Sequence, residues 1–131
     1  MRVGLLEDDI ATQEMLVLAL QDEGHTVIVY DGAEACLDAL NVKETRQLPL
    51  PLDLLIVDWR LAGPISGIEV IQQVRANPRL HELPIILTTA VALNDSEELR
   101  NLQTQAVLLE KPFSVDEMSA LIKQLSQPPL P

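Results

Sequence analysis

Aromatic residues are nearly absent: one Trp, one Tyr and one Phe make up 2% of the 131 residues. That scarcity argues against a platform for stacking single-stranded nucleic acid, and it leaves the core to Leu, Ile, Val and Ala. Basic residues are also few. Nine Lys and Arg stand against 20 Asp and Glu, for a formal net charge of −11. So acidic a segment repels phosphate backbones, so no direct nucleic-acid binding is expected of it, while cations and basic partners are favoured. Cysteine is limited to Cys36, which excludes an intrachain disulfide and a cysteine-rich metal centre. Its neighbours Ala33, Leu37 and Leu40 make it a small buried hydrophobe. No apolar run approaches the roughly 20 residues that span a bilayer, and Met1-Arg2-Val3 enters a strand-like segment without a signal-peptide pattern. No membrane association is expected, and a cytoplasmic location is the default.

What is present is aliphatic and periodic. Apolar residues reach 47%, enough for the core of one compact domain. Short apolar runs alternate with amphipathic stretches. Val3 to Leu6 reads as a buried strand and Gln13 to Glu23 as a helix whose inner face carries Met15, Leu16, Ala19 and Leu20, with Gly24 as its stop. Thr26 to Tyr30 is β-branched and reads as a second strand. Asp31 and Glu34 have capping-box spacing ahead of a helix with Cys36, Leu37 and Leu40 inward. Lys43 to Leu52, with Leu48-Pro49-Leu50-Pro51-Leu52, reads as a long loop and a stiff spacer more than a docking motif. Leu54 to Val57 is a continuous apolar run, the mark of a central parallel strand.

Ser66 and Glu69 cap the next helix, which Asn77-Pro78 ends. Ile85 to Thr88 and Ala106 to Leu109 are the fourth and fifth strands. Between them Asp95 and Glu98 start a helix with a weak apolar face, mainly Leu99 and Leu102. Ser114 and Glu117 cap the last one, with Val115, Met118, Leu121, Ile122 and Leu125 inward. Five strand–helix units imply an α/β fold, a doubly wound five-stranded parallel sheet with right-handed crossovers. Ligands of such folds sit beyond the carboxyl ends of the strands.

Polar residues collect where the strands end. Glu7, Asp8 and Asp9 follow the first strand, Asp58 the third; Thr88 and Thr89 end the fourth, and Lys111 ends the fifth. Two carboxylates about 4 Å apart repel by about 4 kcal/mol at an effective dielectric near 20. Such a cluster therefore takes up a proton or a cation. Oxygen donors without His or Cys suit a hard cation, and Mg²⁺ best, since it keeps waters and can share a phosphoryl oxygen. Helix starting explains Asp9; it does not explain Asp58 at the end of an apolar strand, or Lys111-Pro112. His25 and His81 read as surface residues, neither placed for catalysis. Trp59 shields the site or packs at its rim.

Glu7-Asp8, Asp58, Thr89-Ala90 and Lys111-Pro112-Phe113, in this order and at strand ends, resemble the receiver domain of two-component response regulators (the CheY-like superfamily) from Val3 to about Leu125. The resemblance implies a flavodoxin-like (βα)5 fold with strand order 2-1-3-4-5, with residues 1–126 as the receiver domain and 127–131 as a Pro-rich tail or the start of a linker. It implies that Asp58 accepts a phosphoryl group. Asp8 and Asp58 would bind Mg²⁺ directly, Glu7 through water, and the Arg60 backbone carbonyl would be a further ligand. Lys111 would neutralise phosphoryl oxygens and Thr89 would be the switch hydroxyl, reshaping the face of the fourth helix, fifth strand and fifth helix. Lys111-Pro112 would be cis. A sensor histidine kinase or histidine phosphotransfer protein would donate the phosphoryl group, an effector protein or domain would receive the signal, and a homodimer is admitted. The domain would act as a switch that catalyses its own phosphorylation and dephosphorylation, not as a conventional enzyme.

Two features depart from the family pattern. Leu108 stands where many receivers carry an aromatic switch residue, so an aromatic relay coupled to Thr89 is not expected. The loop Ala62-Gly63-Pro64-Ile65-Ser66-Gly67 is one residue longer than the common form, with Ala62 where proline is frequent. Both motivate an alternative, a receiver-fold interaction module that works without phosphorylation. A third reading, an aspartyl-nucleophile hydrolase, ranks last because Arg60 stands where a second acid would be needed.

Overall fold

The computed structural model describes residues 1–92 and 96–126. Its centre is a five-stranded parallel sheet of β1 Arg2–Leu6, β2 Thr26–Val29, β3 Leu54–Asp58, β4 Ile85–Thr89 and β5 Val107–Glu110. The spatial order is 2-1-3-4-5. The helices are α1 Ile10–Asp22, α2 Ala33–Leu40, α3 Gly67–Arg75, α4 Glu97–Asn101 and α5 Val115–Ser126. Doubly wound topology is therefore as the alternation implies. The anticipated tail at 127–131 and the helix-starting role of Asp95 lie outside the described residues.

Alternate residues of each strand feed opposite faces. Val3, Leu5, Leu54, Ile56 and Ile86 pack with Leu16 and Leu20 of α1 and Met118 and Ile122 of α5. Leu6, Leu55, Val57, Ile85 and Leu87 join Cys36, Leu37 and Leu40 of α2, Val70, Ile71 and Val74 of α3, and Leu99 of α4. Every residue of β3 is buried, and a fully buried Leu or Ile contributes ~1.5–3 kcal/mol. Burial also pushes the Cys36 thiol up to about 12, so it is an inert core residue.

Several local expectations are corrected. α1 starts at Ile10, ahead of Gln13, because Asp9 is its N-cap: Asp9 Oδ2 accepts from Thr12 N at 3.0 Å and Thr12 Oγ1 at 2.5 Å. Met15 is 36% exposed, not inward, since the earlier start is capped with Leu16 and Leu20 aimed at the sheet. Asp31 does not cap α2; Gly32 is the N-cap and makes no side-chain cap bond. α4 is capped by Ser96, whose Oγ accepts from Leu99 N at 3.3 Å. His25 is half-buried, its Nε2 4.0 Å from Glu23 Oε2 and its side chain 19% exposed, whereas His81 is exposed as expected.

Other caps are as read. Ser114 Oγ accepts from Glu117 N at 3.0 Å while Glu117 Oε1 accepts from Ser114 N at 3.4 Å, a reciprocal box. Ser66 Oγ accepts from Glu69 N at 3.2 Å. The loop after α2 is a packed connection, with Leu52 buried and Leu50 half-buried. Asn77 Nδ2 donates to the carbonyls of Val42 and Glu44 at 2.8 and 2.7 Å, and Arg79 Nη2 to that of Leu40 at 2.6 Å.

α3 starts against the end of β3. A Cβ on Gly67 would lie 2.3 Å from the Asp58 carbonyl oxygen, so only glycine lets the backbones meet there. Gly67→Ala should destabilise the fold by about 1–3 kcal/mol, the usual cost of overpacking, read from urea denaturation. In the same assay Ser114→Ala should cost about 0.5–2 kcal/mol, while Asp31→Ala, which removes no cap, should change stability by less than about 0.5 kcal/mol.

Candidate functional site

Parallel pairing brings the strand ends level. Leu6 is registered with Val57, Asp58 with Thr88, and Thr89 with Glu110. The residue after each of β1 and β5, and the last of β3, therefore project over one rim. Glu7 and Asp58 are buried there, at 4% and 8% exposure.

Lys111 joins them. Its Nζ donates to Glu7 Oε1 at 2.9 Å and to Asp58 Oδ2 at 3.2 Å. The backbone on either side of Lys111 is fixed: its amide donates to the Thr89 carbonyl at 2.7 Å, and Lys111-Pro112 is cis. Asp58 Oδ1 accepts from the Arg60 amide at 3.2 Å. Glu7 Oε2 lies 3.4 Å from the Asp9 amide, which donates to it, and the Glu7 carbonyl accepts from Gln13 Nε2 at 3.0 Å.

The electrostatics show which force dominates. Burial, reinforced by the neighbouring Asp58, raises Glu7 to about 7 although Lys111 opposes this. Desolvation pulls the Lys111 ammonium down, but the hydrogen bond to Glu7 and the two carboxylate charges outweigh it and leave it raised. Desolvation is thus the largest influence on both groups.

Asp8 and Thr89 stand apart from this triad. Asp8 Oδ2 accepts from the Ala62 amide. The Thr89 hydroxyl accepts from the Val91 amide at 3.0 Å. The Arg60 guanidinium sits 5.5 Å from the Trp59 ring centroid, within cation–π range, and Trp59 itself packs on the α2–α3 core. Leu108 also packs there, so no aromatic ring occupies its place. Sequence reasoning missed Gln13 and Ala62, since a helix glutamine and a backbone amide carry no motif.

Among the described residues, no group of three or more His, Cys, Asp or Glu side chains is placed to hold a metal ion. An open set of carboxylates is what Mg²⁺ uses, because it keeps several waters and takes one or two protein carboxylates. Oxygen donors alone disfavour soft metals. Beside Lys111 a shallow cavity of about 410 Å³ opens between Thr12, Met15, Ala90, Pro112 and Phe113. Among the described residues no helix is long and apolar enough to cross a membrane.

Comparison with known proteins identifies the family. The sequence profile of the response regulator receiver domain matches residues 3–123. The phosphate regulon transcriptional regulatory protein PhoB of Rhizobium meliloti (strain 1021) is 36% identical over 126 residues, covering 95% of this chain and 51% of that protein. PhoB of Escherichia coli (strain K12) is 29% identical over 123 residues, covering 93% and 50%. The chain spans about half the length of these curated relatives. Among solved structures, the Vibrio cholerae chemotaxis protein CheY4 superposes with a TM-score of 0.76 at 21% identity, covering 95% of this chain and 97% of that one. The receiver domain of the Pseudomonas aeruginosa PAO1 sensor histidine kinase PA1611, which holds a magnesium ion in its active site cleft, gives 0.72 at 23% identity, covering 95% of each chain. The match along nearly the whole sequence, on a sheet ordered 2-1-3-4-5, means that the chain belongs to the response regulator receiver domain family of two-component signalling.

Proposed function

We propose that Asp58 accepts a phosphoryl group from a phosphohistidine on a sensor histidine kinase or a histidine phosphotransfer protein. The observation that carries this is the Lys111 ammonium held against the Asp58 carboxylate at the end of a buried strand. An Asp58 carboxylate oxygen attacks phosphorus in line; the new P–O bond forms as the P–N bond to the imidazole breaks, and the imidazole leaves to take up a proton. Lys111 offsets charge on the phosphoryl oxygens, and the Arg60 amide orients the carboxylate. Asp8, Asp58, Glu7 through water and the Arg60 carbonyl would hold Mg²⁺, which supplies charge neutralisation at the phosphoryl group.

Thr89 is poised for a second arrangement. Its hydroxyl now serves the Val91 amide; turning to a phosphoryl oxygen would release that amide and shift the segment leading to α4. The face of α4, β5 and α5 is then the surface that changes for a downstream effector. The domain is a switch whose own residues catalyse its phosphorylation and dephosphorylation.

Acetyl phosphate with Mg²⁺ should add a single phosphoryl group, and Asp58→Asn should abolish it; intact-mass measurement checks both, and labelling that persists in the variant rejects the assignment. Thermal unfolding without divalent cations checks the charge balance. Glu7 is raised from 4.5 to about 7 on folding, so the folded protein binds more protons than the unfolded chain within that window. The contribution of Glu7 to stability is then full below about pH 4.5 and is lost as pH rises through 7. Glu7→Gln should flatten that decline.

A further inference from the structure

A groove of about 500 Å³ lies between α3 and α4. Its floor is apolar: Ile68 of α3 and Leu102, the residue after α4, are 9% and 4% exposed. Its walls are polar. Glu69 and Gln72 are neighbours on the surface of α3, and Glu98 and Asn101 are neighbours on α4. All four are exposed. Among the described residues, neither carboxylate has an ion-pair partner, and no Lys or Arg lines the groove. Arg75, the next turn of α3 beyond Gln72, is committed elsewhere. Its guanidinium donates to the carbonyls of Gln105 at 2.8 and 2.9 Å, Leu80 at 2.9 Å and His81 at 3.2 Å. The groove therefore joins an apolar floor to a negative rim that has no cation of its own.

We propose that this groove is a docking site for an arginine side chain of a basic partner protein. Arginine matches both of its parts. The aliphatic stem covers Ile68 and Leu102 while the charged head stays at the rim. The planar guanidinium carries five donors in a fixed fork, which suits the carboxylates of Glu69 and Glu98 and the carboxamide oxygens of Gln72 and Asn101. The compact, strongly hydrated ammonium of lysine is a poorer match. A metal ion is disfavoured, because among the described residues no group of three or more His, Cys, Asp or Glu side chains is placed to hold one, and an anion would be repelled by both carboxylates. The net charge of −11 draws basic proteins toward the surface; the groove gives one arginine a defined seat on it. This docking is independent of phosphoryl transfer at Asp58.

Backbone-amide NMR of the whole chain, titrated with the peptide acetyl-Gly-Arg-Gly-amide, tests the idea. Shifts should concentrate at residues 66–72 and 98–105. The same peptide with citrulline, which keeps the shape and loses the charge, should leave those amides in place. Glu69→Gln combined with Glu98→Gln should weaken binding of the arginine peptide about 2- to 30-fold, the range for two exposed ion pairs. Glu14→Gln combined with Glu34→Gln removes the same charge from exposed positions outside the groove and should bind as the wild type does. All four substitutions alter exposed side chains, so the fold is kept. Shifts spread over the whole surface, equal weakening by the two double variants, or equal binding of the citrulline peptide or of one with lysine each overturns the proposal. So does an arginine peptide that leaves the groove amides unshifted.

Discussion

One ammonium group organises the rim. Lys111 reaches residues 104 and 53 positions away along the chain, and meets both carboxylates within hydrogen-bonding distance. Removing the lysine would leave two buried carboxylates without their counterpart, a strongly unfavourable state. Burial, ahead of the neighbouring Asp58, raises Glu7 to about 7. A carboxyl held there against Lys111 changes its charge near neutrality.

The aliphatic sheet makes this arrangement possible. β3 and β4 are buried throughout and cannot shift register without disturbing core side chains, and pairing sets the ends of β1 and β5 against them. The close approach of Gly67 to the Asp58 carbonyl sets where α3 begins and how much chain is left for the loop between. The rim groups thus sit on strand ends, and the neighbouring segments around Ala62 and Val91 reach Asp8 and Thr89 through backbone amides.

Much of this was legible before any coordinates. Continuous apolar runs separated by amphipathic stretches fixed the sheet and its winding, and the placement of Glu7, Asp58 and Lys111 at run ends located the rim. The strand order came from family resemblance, because periodicity alone does not rank neighbours. The errors have a common cause. Asp31–Glu34 has the spacing of a cap but the chain turns into α2 one residue later, so spacing did not decide. Met15 lies outward because Asp9 begins α1 earlier than the apolar pattern marks. The partners of Asp8 and Thr89 were invisible because both are backbone amides, which every residue other than proline has.

At the end of the sheet opposite the rim, the connection from α2 to β3 is held from both sides. Asn77 and Arg79 grip the carbonyls from Leu40 to Glu44, and Leu50 and Leu52 are seated in the core. The exposed span between, from Thr45 to Pro49, hangs between two independent moorings. A graft or a chain break placed in that span would strain neither of them, which makes it the natural seam for attaching a reporter or permuting the domain without disturbing the rim.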